Sequence, residues 1–558
     1  MDQISAPHSF IVTTCLTYLS TFEFPKRKLL SEEDLKNFLK KGPFLGYAYK
    51  YWGFHAKVCY KEGGLPNVVI DFLLQLDEYP FLLKGFDLLR RTHIAVYYGL
   101  LDRLPATNEW CNQRTTRLKY TPLILACGSG NEGIVKLLLS QDVDINIQVA
   151  NGRTALILAS EEGHVSIVEL LVSRHDVALN TQGASGCTAL ILASLNGHEA
   201  VARLILARDG ININTQARYG RTALMFASDN GHEAVVQLLL SHNNVALNVQ
   251  DKGGDTALIL AYLGGHEAVA RLLLACDNIS VNTRNRFGKT ALICASADGH
   301  EAMVQLLLSL DNVALNIQDK DGRTALMCAS ANGHEAVVRL LLSLNNVALN
   351  IQDESGWTAL IWASWKGHEA VARLILTCDD ITINTQDENR GTALMFNSMT
   401  GHGAVVQHVA LNVQDDDGDT ALIKASLRGH EAVARLLLAR DDITINTQNK
   451  FGQTALICAS AIGHEAMVQL LLSHNDVALN TQDKNGRTAL FAASTLGHYA
   501  VVRLLSHNLD IVIDAHARNG VATSTSDHEA VVELFRSHND ARSSTSTASQ
   551  ASPEHKEK

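Results

Sequence analysis

A threonine followed by Ala-Leu, or once by Pro-Leu, recurs at positions 121, 154, 188, 222, 256, 290, 324, 358, 392, 420, 454 and 488. The spacing is 33, then 34 seven times, then 28, then 34 twice. A fixed period of this length constrains the fold more than any other feature of the chain. One supersecondary unit, copied about twelve times, must bury its apolar faces against its neighbours rather than within itself.

The unit from Thr324 to Asp353 shows how. Thr324 caps a short helix whose inward residues are Leu326, Cys328 and Ala329. Gly333 stops that helix and permits a tight turn. "HEAVVRLLLS" follows, with Ala336, Val337, Leu340 and Leu341 on one helical face. "NNVALNIQDES" is turn-rich and extended. Two short antiparallel helices and a protruding turn cannot bury both helical faces alone, so the sequence predicts an all-α solenoid with a small helical region before it.

In its period, its T-x-L-x-x-A helix and its G-H-x-x-V-V-x-x-L-L helix, the unit resembles the ankyrin repeat, over about residues 121–515. The resemblance implies helix-turn-helix units with projecting turns and a concave face. One departure is the histidine usual after T-P-L. Ile157, Met225, Met327 and Ile361 stand there, so apolar packing is expected to replace the polar bridge that this histidine supplies.

The second helices also reveal a duplication. From Val201 they read VARL, VVQL, VARL, MVQL, VVRL; from Val371 they read VARL, VVQH, VARL, MVQL, VVRL. A five-repeat block has been copied, and its offset drops from 170 to 164 within the unit that opens at Thr392. "LLLSHN" (238–243) has no counterpart after Gln407. Three leucines of the second helix are gone. Asn397 replaces the alanine of the other units, and Lys424 stands where neighbours carry Cys, Leu or aromatics. This predicts a weak joint near 392–424, read either as a hinge or as decay.

The organisation expected is an N-terminal helical region (1–84), a degenerate capping repeat (85–120), the array (121–518, defective at 392–419), a degenerate C-terminal cap (519–540) and a disordered tail (541–558). "EEDLKNFLKK" after Ser31, "YAYKYWGFHAK" (47–57) and "VVIDFLLQL" (68–76) read as helices. "RTHIAVYYGLLDRL" (91–104) resembles an eroded first helix, and "DHEAVVELFRSHND" (527–540) a second helix without a first.

Ten cysteines form no CxxC pair, and Cys294, Cys328 and Cys458 share one repeat position, which reads as buried thiols in a reducing compartment. A net charge of −11 with no basic block argues against nucleic acid. No apolar run reaches membrane-spanning length, and an acidic residue stands where a signal peptide is basic. The expected location is cytoplasmic, with the nucleus as the alternative.

No catalytic motif survives inspection. "FGKT" (287–290) has Thr283 where a phosphate-binding loop needs glycine. The eleven in-register histidines from His164 to His498 lack the second histidine of a zinc helix, and are read as starting the second helix and bonding the turn beside it. Glu199, Glu233 and Glu301 behind them suit a helix N-terminus. No enzyme activity, metal or cofactor is implied, and oligomeric state is not readable.

What varies between units lies around G-x-T and just before G-H, positions that ankyrin geometry places on the concave side. Tyr219, Arg221, Asp229, Phe287, Arg323, Trp357, Trp365, Lys366 and Phe451 are the candidate protein-binding residues. Trp365, with Trp357 beside it, is the leading candidate, the alternative being that the pair patches a crowded repeat junction; Trp362 reads as core. The function expected is recognition of a protein or peptide partner. "FIVTTCLTYLSTFEF" and "FLGYAYKYWGFHAK" are also similar to the segment between the NTPase core and the ankyrin array of fungal NACHT-type signalling NTPases, which implies the alternative of a sensor arm in non-self recognition. What precedes Met1 discriminates the two. A third reading is a decaying gene copy, to which the shortened repeat and eroded caps point.

Overall fold

The computed structural model describes residues 7–24, 29, 31–62, 65–76, 79–82, 86–101, 113–115, 117–403, 406 and 409–508. The C-terminal cap and tail expected from the sequence lie outside the described residues. The chain divides into two compact units, Met1–Ser280 and Val281–Lys558.

The first unit opens with α1 (Pro7–Thr21), α2 (Glu32–Leu39), α3 (Leu45–Lys61) and α4 (Asn67–Gln75). Ser31 caps α2 by accepting from the Asp34 amide at 3.0 Å. A hairpin that the sequence did not suggest follows, β1 (Tyr79–Leu82) against β2 (Phe86–Leu89), paired antiparallel. It crosses the boundary expected at residue 84. It forms because Tyr79 is fully buried between aromatic residues: Tyr49 stacks on it at 5.6 Å, and Trp52 donates from Nε1 to its hydroxyl at 3.0 Å. Next, α5 (Arg91–Tyr98) packs against α3 and against the first helix of the repeat at Thr121. A Cβ on Gly53 of α3 would sit 2.1 Å from the Tyr98 ring. Only glycine lets α5 close this near.

Repeats follow in one pattern. Each threonine, except Thr392, caps a first helix through its hydroxyl, as Thr358 does by accepting from the Ile361 amide at 3.3 Å. Ile157, Met225, Met327 and Ile361 are buried in the packing between first helices. The apolar replacement expected at that position is therefore present.

The histidines depart from expectation. Apart from His402 they begin the second helix but make no cap bond; in eight of them Nε2 instead reaches a carbonyl of the preceding repeat. His368 donates to the Ala331 carbonyl at 3.1 Å and His232 to the Leu195 carbonyl at 2.9 Å. The ring seats on the preceding repeat's left-handed glycine, where a Cβ on Gly333 would lie 2.5 Å from His368 Nδ1. The polar bridge between repeats is thus kept, one helix further along.

Two further ladders run through the loops. Asn316 donates from Nδ2 to the Asn346 carbonyl at 2.9 Å and accepts on Oδ1 from the Ala348 amide at 2.8 Å. Gln318 donates to the Gln352 carbonyl at 3.1 Å. At the projecting turns the backbone continues from copy to copy, as in Lys320 N–H to Phe287 O at 2.9 Å.

In the second unit these contacts cross the shortened repeat. The helix Ala393–Thr400 packs between its neighbours Ala359–Lys366 and Ala421–Arg428. Asn384 accepts from the Ala410 amide at 3.0 Å, His430 reaches the Met399 carbonyl at 3.0 Å, and Asp416 N–H meets Asn389 O at 2.9 Å. Six residues of the second helix are absent from the sequence here; none of the described residues within 402–411 is helical, and Val406, Val409 and Leu411 are buried. The next second helix feels the loss. Leu436 is 48% exposed, whereas its equivalents Leu340, Leu374 and Leu470 are half-buried.

Asn397 is 1% exposed, with neither Nδ2 nor Oδ1 hydrogen-bonded. Leaving a buried amide unpaired costs about 1–3 kcal/mol. Asn397→Ala, restoring the residue of the other repeats, is expected to stabilise the second unit by that amount in denaturant unfolding. A destabilised variant would instead mean that the amide finds a partner.

Candidate protein-binding surface

The variable residues sit on recurring positions set by the repeat backbone; Asp229, Trp365 and Lys366 fall seven or eight residues after the threonine, and three other positions complete the set. The first is the tip of the projecting turn, three residues before the threonine. Tyr219, Phe287 and Phe451 occupy it and are 68%, 53% and 59% exposed. Their backbones are held in the turn ladder, so the rings are presented outward on a fixed base. Arg286 lies 4.9 Å from the Phe287 ring.

The second position directly precedes the threonine. In the first unit Arg221 stands there and is fully engaged: Nη1 donates to Asp229 at 2.8 Å and Nε to Asp251 of the next repeat at 3.0 Å. Burial alone would lower its pKa, but the two carboxylates outweigh that and raise it. Arg221 and Asp229, expected as separate contacts for a partner, satisfy one another. Arg153 and Glu161 make the same pair at 2.6 Å two repeats earlier.

The third is the fourth residue after the threonine, which faces the turn of its own repeat. Leu158 and Cys458 are buried there. Burial pushes the Cys458 thiol up to about 12, with Asp419 adding to the shift, so it stays a thiol. Lys424 spans Asp415 and Asp419 at 2.8 and 2.9 Å. Burial disfavours its charge, but the bonds to the two aspartates prevail and raise its pKa. This ion triad explains how a lysine is accommodated beside the shortened repeat.

In the repeat at Thr358 the tip is Ser355, but the second and third positions are both tryptophan, Trp365 follows on the same helix, and a cluster results. Trp357 lies 4.7 Å from Trp362, 5.2 Å from Trp365 and 4.8 Å from Phe396 of the following repeat, measured between ring centres. Trp357 Nε1 donates to Asp387 at 3.0 Å, and Trp362 Nε1 to Asp353 at 2.8 Å. Those aspartates are fixed by their turns; Asp353 accepts the Ser355 and Trp357 amides at 3.0 and 2.9 Å.

Trp362 is therefore not core. It is half-buried, because a ring this large at the fourth position overruns the space that cysteine or leucine fills elsewhere. Sequence reasoning missed it, along with Phe396, Asp353 and Asp387; the aromatic residues at that position in adjacent repeats were the available signal. Trp365 is the open edge, 38% exposed. Two cations flank the rings. Arg323 lies 4.4 Å over Trp362 and Lys366 4.2 Å over Trp365. Arg323 Nε is 4.0 Å from Asp353 Oδ2, beyond hydrogen-bonding distance. Of the sequence candidates the structure thus joins Arg323, Trp357, Trp365 and Lys366 in one patch. Phe287 and Phe451 are not part of it.

Chemically, the patch can hold an apolar side chain against tryptophan faces and a carboxylate against the cations. Among the described residues no three His, Cys, Asp or Glu side chains gather as metal ligands, and no helix is long and apolar enough to cross a membrane.

These features define a scaffold of stacked helical repeats that displays variable side chains from an invariant frame. A family model described as ankyrin repeats (3 copies) matches residues 92–182, 168–251, 241–317, 309–387, 379–449 and 440–515, and the chain belongs to the ankyrin-repeat family. It is similar to ankyrin repeat domain-containing protein 63 of Homo sapiens and of Mus musculus, at 37% identity over 86 residues in each case. That match takes in 15% of this chain and spans 21% of the length of those relatives. Among solved structures, the ankyrin repeat protein EF0377 matches at 25% identity, over 36% of this chain and 100% of its own, with a TM-score of 0.33. Ankyrin repeats are in general protein–protein interaction modules without enzymatic activity.

Proposed function

We propose that the chain is a recognition module that binds a protein partner on the face carrying its first helices and turn tips, the face that ankyrin resemblance implies is concave. The carrying observation is the cluster of Trp357, Trp362, Trp365 and Phe396 with Arg323 and Lys366 stacked on its rings. Tryptophan and arginine are the residue types that dominate interface energetics. Here their backbone frame is rigid, so little ordering cost attends binding. The partner segment pairs an aromatic or aliphatic anchor with a neighbouring carboxylate. Phe287 and Phe451 serve as secondary contacts on the turn tips of the second unit, and Tyr219 occupies the same repeat position in the first.

Roles within the cluster differ. Trp357 is tied to Asp387 and three rings, so its loss disturbs the frame. Trp365, more open, makes the contact. Trp365→Ala combined with Lys366→Ala is therefore expected to weaken retention of partner proteins at least tenfold while leaving the thermal unfolding curve in place. Retention unchanged in a folded variant removes this patch as the site.

A second reading rests on the N-terminal region, whose similarity to the linker of NACHT-type signalling NTPases is joined by its packing onto the first repeat through α5. In that reading the array is the sensor arm of such an NTPase, working in non-self recognition. Intact mass of the protein from its own cells tests it: a P-loop domain in the same polypeptide supports the arm, and a mass matching these 558 residues leaves the free-standing module or an arm acting in trans.

A further inference from the structure

Away from the tryptophan cluster, the first unit contains a half-open slot of about 890 Å³ between α3 and the first helices of the repeats at Thr121 and Thr154. That volume lies in the range of small-molecule sites, which run from about 300 to 1,000 Å³. Its two walls differ in character. On α3, Gly46, Lys50, Phe54 and Lys57 fall on one helical stripe and all border the slot. Opposite them the floor is Leu125, Gly128 and Leu158. The lining is predominantly apolar.

Three observations go together here. Phe54 is 53% exposed beside the slot, with its ring edge-on to His8 at 6.3 Å. Nothing lies within 4 Å of where a Cβ on Gly46 would stand, so the wall opens at that point. Lys57 is half-buried at the rim; its only hydrogen bond is a long one, 3.5 Å, to Asn131 Oδ1, and it has no carboxylate partner among the described residues. Burial, and then Lys61, pull its pKa below the ordinary lysine value. An ammonium held beside an apolar slot without a counter-ion gains most from an anion delivered there. Lys50, the second cation of the stripe, lies 5.2 Å from the Tyr51 ring.

We propose that this slot binds a small amphiphilic anion, a long-chain or polycyclic monocarboxylate, with its apolar body along Phe54, Leu125 and Leu158 and its carboxylate paired with Lys57. Charge complementarity selects this class. Lys50 and Lys57 on the α3 stripe call for a negative headgroup on that wall, and the predominantly apolar lining, in which Ser129 and Glu162 are polar members, takes an apolar body. The site is independent of the protein-binding reading, since it uses none of the residues at Thr358.

The test uses the full chain and dodecanoate, below its micelle concentration, with dodecanol as the uncharged control. Calorimetry is expected to show one dodecanoate bound per chain. Lys57→Gln is expected to weaken it at least tenfold and to leave dodecanol binding unchanged. Gly46→Phe, which places a ring in the open part of the wall and favours the helix, is expected to abolish binding with circular dichroism unchanged. Dodecanoate that fails to bind, or that binds folded Lys57→Gln or Gly46→Phe as tightly as the parent, overturns the proposal. So does an acidic peptide that occupies the slot when dodecanoate does not.

Discussion

Inserting Leu-Leu-Leu-Ser-His-Asn after Gln407 is expected to stabilise the second unit by roughly 3–5 kcal/mol, from the burial of apolar side chains. The complete repeat at Thr222 shows why the gain is less than three fully buried leucines. Leu239 is fully buried, but Leu238 and Leu240 are only half-buried. Covering Leu436 adds a further share. In guanidinium chloride, the parent is expected to unfold in two transitions, because this repeat lacks six residues of its second helix. The insertion is expected to merge them. A single transition in both proteins would mean that the first helices, turns and loop asparagines carry enough coupling by themselves, and the weak joint would be an error.

Gly333→Val is expected to destabilise the same unit by roughly 2–3 kcal/mol. A φ of 76° costs a β-branched residue about 1–2 kcal/mol or more. The new Cβ would also occupy the place of the His368 ring and break its bond to Ala331, worth about another 1 kcal/mol. Gly133→Ala is the control. It lies in the second helix of the Thr121 repeat with nothing within 4 Å of the added Cβ, so it is expected to be neutral or stabilising by about 0.5–1 kcal/mol. Chemical denaturation of the two variants separates the seat under the histidine from glycine content as such. Equal effects would show that the histidine contact contributes nothing.

How much of this was legible in the sequence follows from where each partner lies. Thr324, Leu326 and Gly333 act within about one helix, so the threonine cap, the buried face and the left-handed stop could all be read from one unit. His368, Asn316 and Gln318 act on carbonyls 30 to 37 residues away in the adjacent copy. Reading a unit by itself assigned the histidine to its own turn, and described the asparagine and glutamine only as polar. The same limit applies to the site. Trp357 and Trp365 are neighbours on one repeat and were found together. Phe396 and Asp387 come from the next, and Trp362 was taken for core because the fourth position holds small or apolar residues in most copies. At Tyr79, burial among Tyr49 and Trp52 outweighed any local signal and made a hairpin where helix alone was expected.

The ladders between copies have a consequence for how such a chain can change over generations. Many of their joints end on a main-chain oxygen, as His368, Asn316 and Gln318 do, and a main-chain oxygen is the same whatever amino acid carries it. Any copy therefore fits beside any other. Unequal crossing-over that adds or removes whole 34-residue units leaves these joints intact, and the duplicated block of five is what such an event leaves behind. An exchange out of step by six residues spares the joints but erases a helix, and the scar stays visible beside Leu436. Meanwhile the turn tips, whose seam bonds run through the main chain, can be respelled without renegotiating them.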